Sequence, residues 1–230
     1  MKDCFQERKP SCGFSLIELI TAVAIIAVLA SLLIPVVGSV RKRAKISTNL
    51  SNLRMIQLAN ILYANDHNGS YIPVGSFDED GKYGSFWFTN ENFIENYVGL
   101  ELENAQSMLV SPLATYPTGA PVESVGHSYG YNFTGLGAYG VANSTREATV
   151  YQVVQPSQKL AFADAVDWQI QLSGAARYVG SNDTLNERSN NAIAYRYDDH
   201  AGVVYFDGHT AMLSREDVID NLDLWALVGD

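Results

Sequence analysis

The sequence predicts an α+β protein: a long N-terminal helix with a transmembrane first half, whose C-terminal half packs on an antiparallel β-sheet. Three observations carry this. Leu19 to Val37 is a run of 19 residues without a charge. Apolar residues then recur at steps of three and four as far as Tyr63. From Ser70 onward the chain is rich in Gly, Asn, Ser and aromatic residues with short apolar runs, a pattern of strands and loops.

Composition bounds the rest. A chain of 230 residues holds one ordinary domain plus an appendage, or two small domains. With 47% hydrophobic and 17% charged residues it can build a packed core, and global disorder is excluded. A net charge of −10 argues against a general nucleic-acid binder, which needs a basic face for phosphates. The two cysteines, Cys4 and Cys12, exclude a disulfide framework and a cysteine-rich zinc site.

The charge-free run reads LITAVAIIAVLASLLIPVV, interrupted only by Thr21 and Ser31, whose hydroxyls can bond the preceding helical turn. About 20 apolar residues cross a ~30 Å hydrocarbon layer. A soluble helix of this length would carry a polar face, and this one has none. A secretory signal peptide would be shorter and end in a small-residue cleavage site. A plain single-pass anchor is an alternative. Glu18 stands just before the run. A carboxylate at the lip of a membrane helix costs about 2–3 kcal/mol unless it reaches water or meets a partner.

The residues Gly13-Phe14-Ser15-Leu16-Ile17-Glu18-Leu19, followed by the long apolar run, closely resemble the type IV pilin and type II secretion pseudopilin family. The resemblance implies a leader, 1–13, cut by a prepilin peptidase between Gly13 and Phe14 on the cytoplasmic side. It implies N-methylation of Phe14 and pairing of Glu18 with the Phe14 amine of a neighbouring subunit, which would set the stagger between copies. Cutting removes both cysteines, so cysteine usage says nothing of redox compartment. Counting charges does not by itself place the N-terminus inside: Arg41, Lys42, Arg43 and Lys45 follow the run, against Lys2, Arg8 and Lys9 before it. The orientation comes from the resemblance.

The helix is expected over 14–68, with its transmembrane half at about 14–38. That is roughly 80 Å at 1.5 Å per residue. Pro35 removes a backbone donor, so Pro35 and Gly38 should kink or locally melt it. Beyond the membrane, Ile46, Leu50, Leu53, Ile56, Ala59 and Tyr63 form the apolar stripe that covers a sheet, with Asn49, Asn52, Arg54, Gln57 and Asn60 between them. Gly69 supplies the stop.

The globular part is expected over 69–230. Short apolar candidates are Ser85–Phe88 and Ser107–Val110; Lys159–Asp164 is a strand; Gly126–Ser144 is loop-rich. Gly202–Leu213 reads as two strands joined at Asp207-Gly208. Ser214 to Val228 reads as a helix capped by Ser214, with Asp217 three residues on and a stripe of Val218, Ile219, Leu222, Trp225 and Ala226. This part resembles a prepilin-like branch with a C-terminal hallmark of Arg-His, nine residues, then Asp-Gly-His. Arg196, Asp207, Gly208 and His209 match it, while Tyr197 stands where the His is expected. Many relatives carry cysteines near Asn49 and at the Ser111-Pro112 position, which this chain lacks, so no disulfide ties helix to domain here.

Three function classes follow. The resemblance implies a non-enzymatic structural subunit without a cofactor, held in the bacterial inner membrane with its domain outside the cytoplasm. Its partners would be other pilin or pseudopilin subunits and a prepilin peptidase, with no nucleic acid. The first alternative is a tethered binding module gripping a glycan or exported protein through Trp87 and the aromatic loops of Tyr129 to Tyr139. The second is a tethered metal-dependent enzyme using His200, Asp207 and His209, near Asp198 and Asp199. Asp207-Gly208 is first of all a turn, and the two histidines are first of all surface groups. Asp78-Glu79-Asp80-Gly81 offers oxygen ligands for calcium but lacks the distal Glu of an EF-hand, and a solvated loop is the plainer reading.

Overall fold

A computed structural model describes residues 16–102, 110–112, 114, 128–136, 144–180 and 191–227. The chain divides into two compact units, Met1–Ala44 and Lys45–Asp230, with the division inside the first helix.

That helix, α1, spans Leu16–Asp66. It is assigned without interruption through Pro35 and Gly38, so the expected local melting is not seen. Its first half is apolar on all sides: Ile17, Ile25, Ile26, Leu32 and Ile34 are each exposed, and none of its most hydrophobic stretch is buried. Thr21 Oγ1 donates to the carbonyls of Ile17 and Glu18, and Ser31 Oγ to that of Val28, so both hydroxyls are satisfied within the helix. The helix stops where Asn68 and then Gly69 take positive φ. The Gly69 N–H closes back on the Ala64 carbonyl at 2.8 Å.

The second unit is built on two sheets. β1 (Gly75–Phe77), β2 (Tyr83–Phe86) and β4 (Thr145–Arg146) form an antiparallel sheet ordered β2-β1-β4. β3 (Tyr129–Asn132), β5 (Leu160–Asp164), β6 (Gln169–Ile170), β7 (His200–Tyr205) and β8 (Thr210–Ser214) form a second, ordered β6-β3-β5-β7-β8. The β3–β6 pair is parallel, so this sheet is mixed and not purely antiparallel. A short helix, α2 (Glu91–Phe93), runs into a π-turn at Ile94–Val98.

The five-stranded sheet is covered on both faces. On one side Leu53 and Ile56 of α1 share a core with Tyr129, Tyr131, Phe162, Val204 and Phe206. On the other, Ala163, Ala201 and Val203 pack with Val218, Leu224 and Trp225. A strand buried on both faces reads as a continuous apolar run, which is why Leu160–Asp164 was legible. The loop-rich reading of Gly126–Ser144 missed β3, whose four residues are all buried. Ser107–Leu109 lie outside the described residues.

Two expected helical patterns are corrected. The face of α1 turned to the sheet includes Asn49, Asn52, Gln57 and Asn60, all buried, whereas Leu58 and Leu62 are about half exposed. Ser214 does cap a helix, with a capping box to Asp217, but that helix, α3, covers only Arg215–Asp220. Asn221 leaves helical geometry, and a 3-10 turn at Leu222–Leu224 shifts the phase. Leu222 therefore faces solvent, and Leu224, Trp225 and Leu227 are buried.

Gly202 lets α1 approach β7. A Cβ there would lie 2.5 Å from Asn49 Nδ2, 3.0 Å from Asp164 Oδ2 and 3.2 Å from Leu53 Cδ1. Gly202→Ala is expected to destabilise the folded unit by about 1–3 kcal/mol. Urea titration of the full chain in detergent, followed by tryptophan fluorescence, would read this. An unchanged midpoint would show that the helix can lift from the strand freely.

Candidate functional site

The residues singled out in the sequence fall in three places. Gly13 and Phe14 lie outside the described residues. Glu18 sits in the first turn of α1 and is exposed, and Pro35 and Gly38 lie within the same helix. An acidic side chain in a first turn faces the positive end of the helix dipole.

The second place is the seam between the Lys45–Asp66 part of α1 and the sheet, a site the sequence reading did not find. Asp164, the last residue of β5, is fully buried. Its Oδ2 accepts from Asn49 Nδ2 at 2.8 Å and from the Gly202 N–H at 2.7 Å. Its Oδ1 lies 3.8 Å from Arg196 Nη1, an ion pair in which both side chains are almost wholly buried. Arg196 also donates to the carbonyls of Ala165 at 2.8 Å and Ser128 at 3.3 Å. The hallmark arginine is thus an internal clamp, which holds the chain before β7 to the ends of β3 and β5.

Burial pushes the Asp164 carboxyl up to about 6, against the pull of Arg196, then the Gly202 N–H, Asn49 and Ser111. The Ser111 hydroxyl is itself buried short of hydrogen-bond geometry.

The remaining inward amides of α1 extend the seam. Tyr129 Oη donates to Asn49 Oδ1 at 2.9 Å and accepts from Asn52 Nδ2 at 3.2 Å. Gln57 Nε2 donates to the Phe206 carbonyl at 2.8 Å. Asn60 donates to Tyr131 Oη and to Gln57 Oε1, and accepts from the Ile72 N–H at 2.9 Å. Burial raises the Tyr131 hydroxyl's pKa above its ordinary value, so the ring stays neutral and can serve these bonds. The signal in the sequence was present: Asn49, Asn52, Gln57 and Asn60 share the helical face of Leu53 and Ile56.

The third place is the β7–β8 hairpin. Gly208 has φ 92° and its N–H bonds the Tyr205 carbonyl at 2.9 Å. Asp207 does not have positive φ, so Asp207-Gly208 is not the central pair of a type I′ loop. A two-residue turn with both φ positive lies instead at Asp198-Asp199, closed by reciprocal Tyr197–His200 backbone bonds. Asp207 Oδ1 accepts from the His209 backbone N–H at 3.1 Å and lies 2.6 Å from its Nδ1. The His209 ring stacks on Tyr205, centroids 4.0 Å apart.

The hallmark residues are therefore not brought together. Arg196 precedes β7 and His209 follows its far end. His200 and His209 stand at opposite ends of the hairpin, separated by about 17 Å of strand, too far to ligate one ion. Asp78 spends its Oδ1 on the backbone N–H groups of Asp80 and Lys82, as a turn residue does. Trp87, Tyr129, Tyr131 and Phe133 are buried and present no aromatic patch to a ligand, and Tyr139 lies outside the described residues.

The seam predicts a pH dependence. The folded-state pKa of Asp164 is raised, so folding binds a proton that the unfolded chain releases more readily. The cost of burying the charge is absent below about pH 4, grows between 4 and 6, and is complete above 6. Asp164→Asn removes this contribution. The stability difference, wild type minus variant, should fall as pH rises from 4 to 6 and then level off. A flat difference across that window in detergent would refute a raised carboxyl.

Residues 8–34 match the family model of the prokaryotic N-terminal methylation motif. No curated protein and no solved structure matches the chain. Residues 8–34 are thus a prepilin-type cleavage and methylation segment, and it leads into a helix long and apolar enough to anchor the chain in a membrane.

Proposed function

We propose that the chain is a non-catalytic, pseudopilin-like structural subunit of a type II secretion or type IV pilus-like assembly. The observation that carries this is the methylation motif leading into a helix whose first half is apolar on every side and which has one acidic residue, Glu18, before Asp66. A prepilin peptidase cuts between Gly13 and Phe14, and the freed amine is methylated. Glu18 of one copy then takes the Phe14 amine of the next. In a low-dielectric layer a misplaced charge is penalised, so the pair selects one stagger between copies. The chain sits in the bacterial inner membrane as a single-pass protein with its folded unit outside the cytoplasm. Its partners are other pilin-like subunits and the peptidase.

Intact-mass and N-terminal sequencing of protein from native membranes tests this: Phe14 should be first and carry one added methyl group. A chain that retains residues 1–13 would overturn processing and leave only an anchor. Glu18→Ala is expected to be cut normally but to lose most inter-subunit crosslinking. Full crosslinking in that variant would remove the stagger role.

A further inference from the structure

The charge of this chain is unevenly placed. From Leu19 to Asn65 there are five basic residues and no acidic one, whereas Asp66 to Asp230 holds seven basic and 22 acidic residues. Three of the five, Arg41, Lys42 and Arg43, follow the apolar run after Gly38, Ser39 and Val40. Arg41 also closes a shallow groove on α1 lined by Ala30, Ile34, Val37 and Gly38. Gly38 adds no side chain to the groove, and a Cβ there would stand in open space. Ile34 and Val37 are exposed at 73% and 45%. An open apolar floor thus ends at a guanidinium.

We propose that this notch is a binding site for an anionic phospholipid of the leaflet opposite the leader, with the phosphate on Arg41 and an acyl chain along Ala30, Ile34, Val37 and Gly38. Position supports the match. Glu18 and Arg41 are about 35 Å apart along a helix, against a hydrocarbon layer of ~30 Å, so Arg41 reaches the far headgroups when Glu18 is at the near lip. The planar guanidinium suits phosphate, and Lys42 and Arg43 add to the attraction for net negative lipid. A second copy fits less well. Only a hydrocarbon chain or another helix enters at this depth, and the membrane half of a parallel copy brings one acidic residue, Glu18, at the wrong lip.

The proposal needs a membrane-spanning helix, so flotation of the reconstituted full chain comes first; a chain that fails to float overturns that reading and the proposal together. Native mass spectrometry then counts lipids retained after release from nanodiscs of equal phosphatidylglycerol and phosphatidylethanolamine. Wild type should retain phosphatidylglycerol about fivefold over phosphatidylethanolamine. Arg41→Gln should bring the ratio near one, Arg43→Gln, which leaves the groove face, should keep more than half of it, and Gly38→Leu should lower retention of both lipids. A floating chain without headgroup preference overturns the proposal. So does an equal loss in Arg41→Gln and Arg43→Gln, which marks diffuse surface attraction, or retention unmoved by Gly38→Leu. A lower dimer yield in Arg41→Gln at an unchanged lipid ratio assigns the notch to a second copy and also refutes it.

Discussion

The folded unit turns on one buried carboxylate. Asp164 ends the central strand β5 and meets groups from α1, β7 and the segment before β7 at once. Burying a charge is costly, and a buried ion pair is no guarantee of stability, because the desolvation of both partners opposes their attraction. Its consequence is conditional. Asn49 and the Gly202 N–H satisfy Oδ2, and Arg196 offsets part of the charge at Oδ1, which accepts no hydrogen bond from the described residues; with any one displaced, a buried charge or donor loses compensation, at about 1–5 kcal/mol. The arrangement punishes misassembly more than it rewards assembly. It also explains why Arg196 sits where it does: it serves the fold and is almost wholly removed from solvent.

α1 obeys two solvents in succession. Within the charge-free run of its first half the hydroxyls of Thr21 and Ser31 bond their own backbone carbonyls. That is the condition for lying in hydrocarbon, where water cannot make up a missing bond. From Lys45 onward the same helix turns amides to the sheet and leaves leucines outside. The charge pattern follows the same division. The stretch Leu19–Asn65 carries no acidic residue, and 22 of the 25 acidic residues lie beyond it. One secondary-structure element thus combines an anchoring function with a docking function, and the residue types change where the task changes.

The membrane half was legible because its signals are local: a charge-free run, a short motif and a single acidic residue. β5, the β7–β8 hairpin and the Ser214 cap were legible for the same reason, each being written in consecutive residues. What could not be read depends on pairing across long separations. Asn49 and Asp164 are 115 residues apart, and nothing near either one announces the other. β3 was hidden by its composition, since Tyr129-Gly130-Tyr131-Asn132 looks like loop until Gly130 is seen to be pressed by Ile170, Asp167 and Ala165. The end of the C-terminal helix was lost because Asn221 breaks the phase and the next apolar residues continue on another turn.

The amides settle a choice that apolarity leaves open. On the outer face of α1, Leu58 and Leu62 are as hydrophobic as the buried Leu53 and Ile56. By area burial alone the helix could roll to put them inward at little loss, each leucine being worth about 1.5–3 kcal/mol in either position. Rolling or sliding by one turn, about 5.4 Å, would instead strand Asn49, Asn52, Gln57 and Asn60 together with Tyr129, Tyr131 and the Phe206 carbonyl. Each lost match costs about 1–3 kcal/mol when the group stays buried, and the set loses all of them at once. The seam therefore fixes both the face and the register of the helix without a covalent tie. A disulfide would fix one point and leave the face to packing; four amides spaced along three turns fix a line.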